Sequence, residues 1–228
     1  VAYQSKPEER TQTESTEMYL ITVYRLTRRA PSATTKDIAD MLGISPPSVS
    51  ERLKRLAQQG YLIHGWREGA KLTPEGEHIA VNVLRKHRLI ETFLVQMAGY
   101  AIDEVHDEAC HIEHAISERL ADRLEAMLGR PQVDPHGHSI PAKDGTLTTV
   151  AYQLLANVAA GQTVFIRQVS DWNNDQLSYI TSLGLAPGVE VTVINHAPFD
   201  GPLTLKLGDR SVALARDMAQ TIGVEQPQ

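Results

Sequence analysis

The apolar residues of this 228-residue chain change their spacing once, in a stretch rich in proline, glycine and histidine. Before Gly129-Arg130-Pro131 they recur every three or four residues, the period of helices buried on one face. After Asp144 they recur every second residue, the period of half-buried strands. The intervening stretch, 132–144, holds Pro135, Gly137, Pro141 and two histidines and reads as a linker. A helical body followed by a small β domain is therefore expected. With 42% hydrophobic and 22% charged residues, both parts can bury a core.

Within the helical body, residues 1–13 are polar and aperiodic and read as a frayed arm. A helix is predicted over 13–29, with Met18, Ile21 and Tyr24 at helical spacing. Thr35 is read as the cap of a short helix, 36–42, that Gly43 ends. Ser45-Pro46 is a start signal, a capping hydroxyl before a proline at the first helical position. The helix it opens runs to about Gln59. Short strands at 61–64 and 70–72, with a turn at Arg67-Glu68-Gly69, follow it. Longer helices are expected over 74–98 and 104–128. In the β part, strands are predicted at 163–169, 189–195, 203–207 and 211–214, with one helix at 175–183. About five short strands in so few residues suggest a small barrel.

Two helices joined by a tight glycine turn and followed by a hairpin form a winged helix-turn-helix. The second helix of such a unit fits the DNA major groove with its N-terminal residues against base edges. Here the candidates are Thr35, Ser45, Pro46, Pro47, Ser48, Ser50 and Glu51, with Val49 able to touch a thymine methyl. Arg52, Lys54 and Arg55 could meet phosphate. Charge distribution agrees with this reading. Residues 1–74 carry 11 Lys and Arg against 8 Asp and Glu, whereas the remainder carries 11 against 20, within a net charge of −6. A basic front can approach a polyanion that the acidic body would repel.

A second constellation lies on the predicted helix 104–128. His106, Cys110, Glu113 and His114 fall within an arc of about 100° and overlap its apolar face. On the preceding helix His87 and Glu91 are four apart and share a face. A lone cysteine on an apolar face is ordinarily filler, and one His–Glu pair is ordinarily a surface contact. Six such side chains on consecutive helices favour a divalent transition metal, because burying them unpaired is costly. His136 and His138, in the linker, rank lower, and His111 points away from the arc. Two competing readings stay open at this point. One is an enzyme with Cys110 as a nucleophile paired to His106 or His114. The other is a winged-helix regulator of an organic ligand. No glycine-rich nucleophile turn and no His-Glu-x-x-His signature accompanies Cys110.

A single cysteine fits a reducing compartment, and no apolar run approaches the roughly 20 residues that span a bilayer. No charged-then-apolar leader is seen, and native residues are expected to precede Val1. A cytoplasmic protein without a membrane partner is expected.

The chain resembles the diphtheria-toxin-repressor family of metal-dependent transcriptional regulators. The resemblance is carried by Thr16-Glu17-Met18-Tyr19-Leu20, by Arg85-Lys86-His87-Arg88-Leu89, by Val105-His106-Asp107-Glu108-Ala109-Cys110 and by Glu113-His114. It is close from about Thr13 to Pro141 and looser beyond. It implies a mainly α protein with small β parts, in three domains. These are a winged-helix DNA-binding domain over 1–74, a helical metal-binding and dimerisation domain over 75–141, and an SH3-like, FeoA-like β-barrel with its linker over 142–228. It implies a primary metal site of Met18, Cys110, Glu113 and His114, and an ancillary site of His87, Glu91 and His106 aided by Gln176. Asn173 stands where the family has a glutamate, so Asp175 or Asp171 would have to substitute. Glu51 stands where the family's recognition helix has a base-contacting glutamine.

The resemblance further implies a homodimer on near-palindromic operator DNA, not an enzyme, repressing metal-uptake genes when metal is plentiful. Mn²⁺ or Fe²⁺ is the implied ion, and other divalent metals could substitute in vitro. Thioether and thiolate make the primary site softer than the all-oxygen-and-nitrogen sites of manganese regulators.

Overall fold

A computed structural model describes residues 7–65 and 68–227. Its chain contacts form two units. The first comprises residues 1–87, 113–116 and 141–146, and the second comprises 88–112, 117–140 and 147–228.

In the first unit, helix α1 (Pro7–Thr27) begins earlier than the expected arm allows; residues 1–6 of that arm lie outside the described residues. It buries Tyr19, Leu20, Ile21, Val23 and Tyr24. Helix α2 (Thr35–Leu42) is capped by Thr34 rather than Thr35: the Thr34 hydroxyl accepts from the Asp37 amide at 3.1 Å and donates to the Asp37 carboxylate at 2.6 Å. Gly43 ends it at φ 65°, the left-handed cap that glycine adopts without strain. Helix α3 (Pro46–Gln58) starts as predicted, with Pro46 in its first turn. The Ser45 hydroxyl does not cap its backbone, however, and meets the Ser48 hydroxyl at 2.9 Å instead.

Val49, Leu53 and Leu56, at helical spacing, pack against Leu20, Val23 and Ile38. Val49 is wholly buried and so is removed from the candidate base contacts. Strands β1 (Leu62–Gly65) and β2 (Gly69–Leu72) pair antiparallel, Leu62 opposite Leu72. The predicted turn residue Arg67 lies outside the described residues. Gly69 has φ 74°, and a Cβ there would sit 2.8 Å from the Ala33 carbonyl, so the hairpin needs glycine where it passes Ala33. The winged helix-turn-helix arrangement is thus present.

Helix α4 (Pro74–Ala98) has its predicted bounds and gives its first half to the first unit. The single helix expected over 104–128 is two helices, α5 (Val105–Ile112) and α6 (Glu118–Met127). Ser117 causes the restart: its backbone is extended, and its hydroxyl accepts from the Leu120 amide as a new N-cap. Glu113 and His114 therefore stand in the turn after α5, not on a common helical face with Cys110.

In the second unit, strands β3 (Gln153–Leu154), β4 (Thr163–Val169), β5 (Glu190–His196), β6 (Leu203–Leu207), β7 (Arg210–Leu214) and β8 (Ile222–Glu225) form one antiparallel sheet in the order β3-β8-β4-β5-β6-β7. That order is open, so the expected barrel is not closed by strand pairing among the described residues. Helices α7 (Asn174–Ser182) and α8 (Arg216–Ala219) complete the core instead. Leu177, Ile180 and Ala219 pack with Val164, Ile166, Val193, Leu205 and Val224.

The stretch read as a linker is a built loop. Val133 and Ser139 pair, and one Asp134 carboxylate oxygen accepts from the amides of His136 and His138, each at 2.9 Å. No helix among the described residues is long and apolar enough to cross a membrane.

Candidate metal centres and nucleic-acid face

Of the eight expected ligands, Met18, His87, Glu113 and His114 fall in the first unit; Glu91, His106, Cys110 and Gln176 fall in the second. In the first unit Glu113 is 3% exposed. One of its oxygens lies 2.6 Å from Nδ1 of the buried His87, and the other lies 3.2 Å from Nε2 of His114. Two donors about 2.1 Å from one octahedral ion stand about 3 Å apart, so the second spacing suits shared ligation. Nδ1 of His114 is 2.7 Å from the Glu17 carboxylate. Burial works against the charged imidazole of His114. The hydrogen bond to Glu17 and the charges of Glu113, Glu17 and Glu14 outweigh that and hold its pKa above the ordinary value. Met18 follows Glu17 on α1 and keeps an exposed side chain.

In the second unit the wholly buried Glu91 faces two imidazoles. Its Oε1 is 3.7 Å from Nδ1 of His106, and its Oε2 is 3.7 Å from Nδ1 of His136. The Cys110 sulfur lies 3.6 Å from Nε2 of His106. Asp171, between β4 and α7, joins Glu91 and His136 in a group whose donor atoms all lie within 4.8 Å of one another. His138 Nδ1 stands 3.6 Å from Asp134 Oδ2 and 3.8 Å from Asp171 Oδ2.

These gaps are too wide for good hydrogen bonds and near the separation of two donors on one ion. Nε2 of His136 donates to the Ile102 carbonyl at 2.7 Å, which turns Nδ1 toward the carboxylates. Nδ1 of His136 and of His138 are buried without a hydrogen bond, and Oδ2 of Asp134 pairs with Nε of Arg88 at 3.3 Å. Burial alone would lower the His136 pKa. Glu91 first, then Asp134 and Asp171, reverse that and raise it to about 9. A buried site with two carboxylates, an imidazole of fixed tautomer and unsatisfied donor atoms fits a divalent cation.

The ranking of candidates from sequence thus changes. His136, which ranks low as a linker residue, is central. Asp134 and Glu17 are not among the sequence candidates. The alternation Asp134-Pro135-His136-Gly137-His138 is the signal available for the first of them. Asp171 stands beside Glu91 and His136, whereas Asp175 and Gln176 are exposed in the first turn of α7. Asn173 is occupied as the cap of that helix, accepting from the Gln176 amide at 2.9 Å.

Also in the first unit, Ser45, Pro46, Pro47, Ser48, Glu51, Lys54 and Arg55 are exposed, while Thr35, Ser50 and Arg52 are half-buried. Arg55 pairs with Glu51 one turn back. Arg52 turns inward and donates to the Thr16 hydroxyl at 2.8 Å.

Residues 11–70 match the family described as "Iron dependent repressor, N-terminal DNA binding domain". Residues 73–142 match "Iron dependent repressor, metal binding and dimerisation domain", and 153–226 match "FeoA domain". The chain is 33% identical over 224 residues to the iron-dependent repressor IdeR of Mycobacterium leprae, covering 93% of this chain and 97% of that one. It is 31% identical over 225 residues to the diphtheria toxin repressor of Corynebacterium diphtheriae, with the same coverage. A solved structure of a manganese-dependent transcriptional repressor in complex with manganese superposes with a TM-score of 0.82. It is 35% identical, covering 93% of this chain and 100% of that one. The fold is that of metal-dependent transcriptional regulators. The chain belongs to the iron-dependent, or diphtheria toxin, repressor family.

Proposed function

We propose that the chain is a repressor of transcription activated by Mn²⁺ or Fe²⁺, acting as a homodimer on near-palindromic operator DNA in the cytoplasm. It is a regulator rather than an enzyme, and the genes it controls serve metal uptake and homeostasis. The observation that carries this reading is the burial of imidazole and carboxylate donors at spacings of 3.2–3.8 Å in the segments matched to the family. A three-part division near residues 74 and 141, with an SH3-like last domain, is supported by the limits of the three family matches.

Met18, Cys110, Glu113 and His114 are the proposed primary donors. His87, through its bond to Glu113, orients that carboxylate, and it remains a proposed donor of the ancillary site with Glu91 and His106. Glu91, His106, His136 and Asp171 are the proposed donors of a second, harder site, and Gln176 is a more distant candidate there. A bound ion supplies a positive centre that ligands distant in sequence share. Thioether and thiolate favour Fe²⁺ at the first site, and carboxylates with imidazole suit Mn²⁺ at the second.

Met18 and His114, both in the first unit, are nearly a hundred residues apart, so shared ligation would restrain α1 and favour one arrangement of the DNA-binding helices. A hundredfold gain in DNA affinity needs only about 2.7 kcal/mol of coupling. In the dimer, paired α3 helices would sit roughly one helical turn of DNA apart. Their serine hydroxyls, prolines and Glu51 would face bases, while Lys54 and Arg55 would face phosphate.

The test is a binding titration on DNA selected from a random pool by the loaded protein. Mn²⁺, anaerobic Fe²⁺ and Zn²⁺ are compared against chelated protein. Activation by at least one ion is expected. Equal affinity of chelated and loaded protein would overturn the reading.

A further inference from the structure

Thr16 and Glu17 are consecutive on α1, and their side chains bond in two directions. Glu17 holds Nδ1 of His114 at 2.7 Å, across 97 positions of sequence, with both side chains about 15% exposed. Thr16 accepts a hydrogen bond from Nη2 of Arg52 on α3, at 2.8 Å across 36 positions. One short stretch of α1 is therefore tied on one side to the turn that bears Glu113 and His114, and on the other to the helix whose first turn carries the candidate base contacts.

We infer that Glu17 and Thr16 form a relay that carries the state of His114 to α3. The inference rests on the reading of His114 as a metal ligand. With Nδ1 committed to Glu17, only Nε2 remains to ligate, and it already stands 3.2 Å from Glu113. Glu17 is thus a positioning residue, acting through the imidazole it holds. An ion held at Nε2 would fix the ring, so that Nδ1–H stays directed at the Glu17 carboxylate. That bond anchors the backbone of residues 16–18. The same backbone fixes Thr16, and through it the guanidinium of Arg52 and the pose of α3. Two side-chain bonds on adjacent residues of one helical turn share a backbone, which makes them candidates to move together.

The relay predicts different effects for its two members. Glu17→Ala should weaken Mn²⁺ binding about tenfold, the usual cost of losing a carboxylate behind a ligating imidazole. It should also shrink the ratio of DNA affinities with and without metal. Glu17→Gln, which keeps an acceptor, should recover most of the metal affinity. Thr16→Val should leave Mn²⁺ affinity unchanged yet shrink the DNA ratio. In the double variant the two losses of that ratio should overlap rather than add. Hydrogen exchange of α1 amides in the metal-free protein supplies a readout without DNA. Faster exchange is expected for Glu17→Ala and Thr16→Val, and near-normal exchange for Glu17→Gln. Additive losses, or a wild-type DNA ratio in both single variants, would overturn the relay. Cys110→Ala is the control. If it also left metal dependence untouched, the proposed function would fail, whereas its expected loss beside an unaffected Glu17→Ala would sink the relay alone.

Discussion

Oε2 of Glu91 lies 3.7 Å from Nδ1 of His136, with both side chains wholly buried. The gap is too long for a hydrogen bond, and no hydrogen bond satisfies that imidazole nitrogen. His136→Ala should therefore remove a candidate metal donor along with the bond to the Ile102 carbonyl. Loss of an outer partner of a metal ligand costs about 10–100-fold in affinity, so loss of the ligand itself should cost at least about a hundredfold at this site. Competition with a fluorescent chelator measures it. An unchanged Mn²⁺ isotherm would show that His136 is not a ligand.

The same residue sets a pH dependence of two opposite signs. Its pKa in the metal-free fold is raised to about 9, against about 6.5 unfolded. The protonated imidazole thus stabilises the metal-free protein fully below pH about 6.5, and that contribution is lost as pH rises through about 9. Metal must displace the same proton, so metal affinity should rise over that window. Calorimetry of Mn²⁺ binding in buffers of different ionisation enthalpy, near pH 7.5, should report release of about one proton from this site. Thermal melts of metal-free protein should show the midpoint falling across the window. Metal binding without proton release would contradict the assignment.

Where side-chain chemistry and chain period coincide, the sequence is a good guide. Pro74–Ala98 is legible to the residue, and Ser45-Pro46 marks the start of α3. It misleads where a local competitor acts. The Ser117 hydroxyl splits one long apolar pattern into α5 and α6 and takes Glu113 and His114 off the helix. Strand β8 escapes the period-two reading because Ile222, Gly223 and Val224 are all buried, which erases alternation. The loop 132–140 looks like a spacer because proline and glycine also serve tight, buried turns. Only tertiary packing shows that Asp134 organises it and that Asp171 approaches from a remote segment.

Cys110→Ala tests the softer site. The residue is half-buried, so truncation should cost little stability while removing a thiolate donor. Metal-activated DNA binding should fall at least about tenfold, with the preference shifting from Fe²⁺ toward Mn²⁺. Anaerobic DNA titrations with the two ions would show it; unaltered metal dependence would count against Cys110 as a ligand.

Arg55 and Arg52 should differ in their salt signatures. The Arg55 side chain is 63% exposed on α3, so Arg55→Ala should lower the slope of log affinity against log salt by about one. Arg52 faces Thr16, so its loss should change metal coupling more than that slope. Equal slopes for wild type and Arg55→Ala would exclude a phosphate contact at that position.

Gly137 supports the second site through its backbone. It has φ 87°, and a Cβ there would stand 1.8 Å from the Arg167 carbonyl oxygen, a backbone atom that cannot step aside. The left-handed conformation costs an alanine about 1–3 kcal/mol, and the clash adds to it. The loop must then open, which also breaks the bond from the Val169 amide to the His136 carbonyl. Gly137→Ala should thus destabilise the protein by about 3 kcal/mol or more and weaken metal binding at His136. Gly129 is the matched control: it has φ 76°, and a Cβ there would meet nothing within 4 Å, so Gly129→Ala carries only the conformational part. Urea unfolding of both variants, paired with Mn²⁺ titration, separates strain from loss of the site. Similar stability and metal affinity in the two would show that the 132–140 loop is free to rearrange.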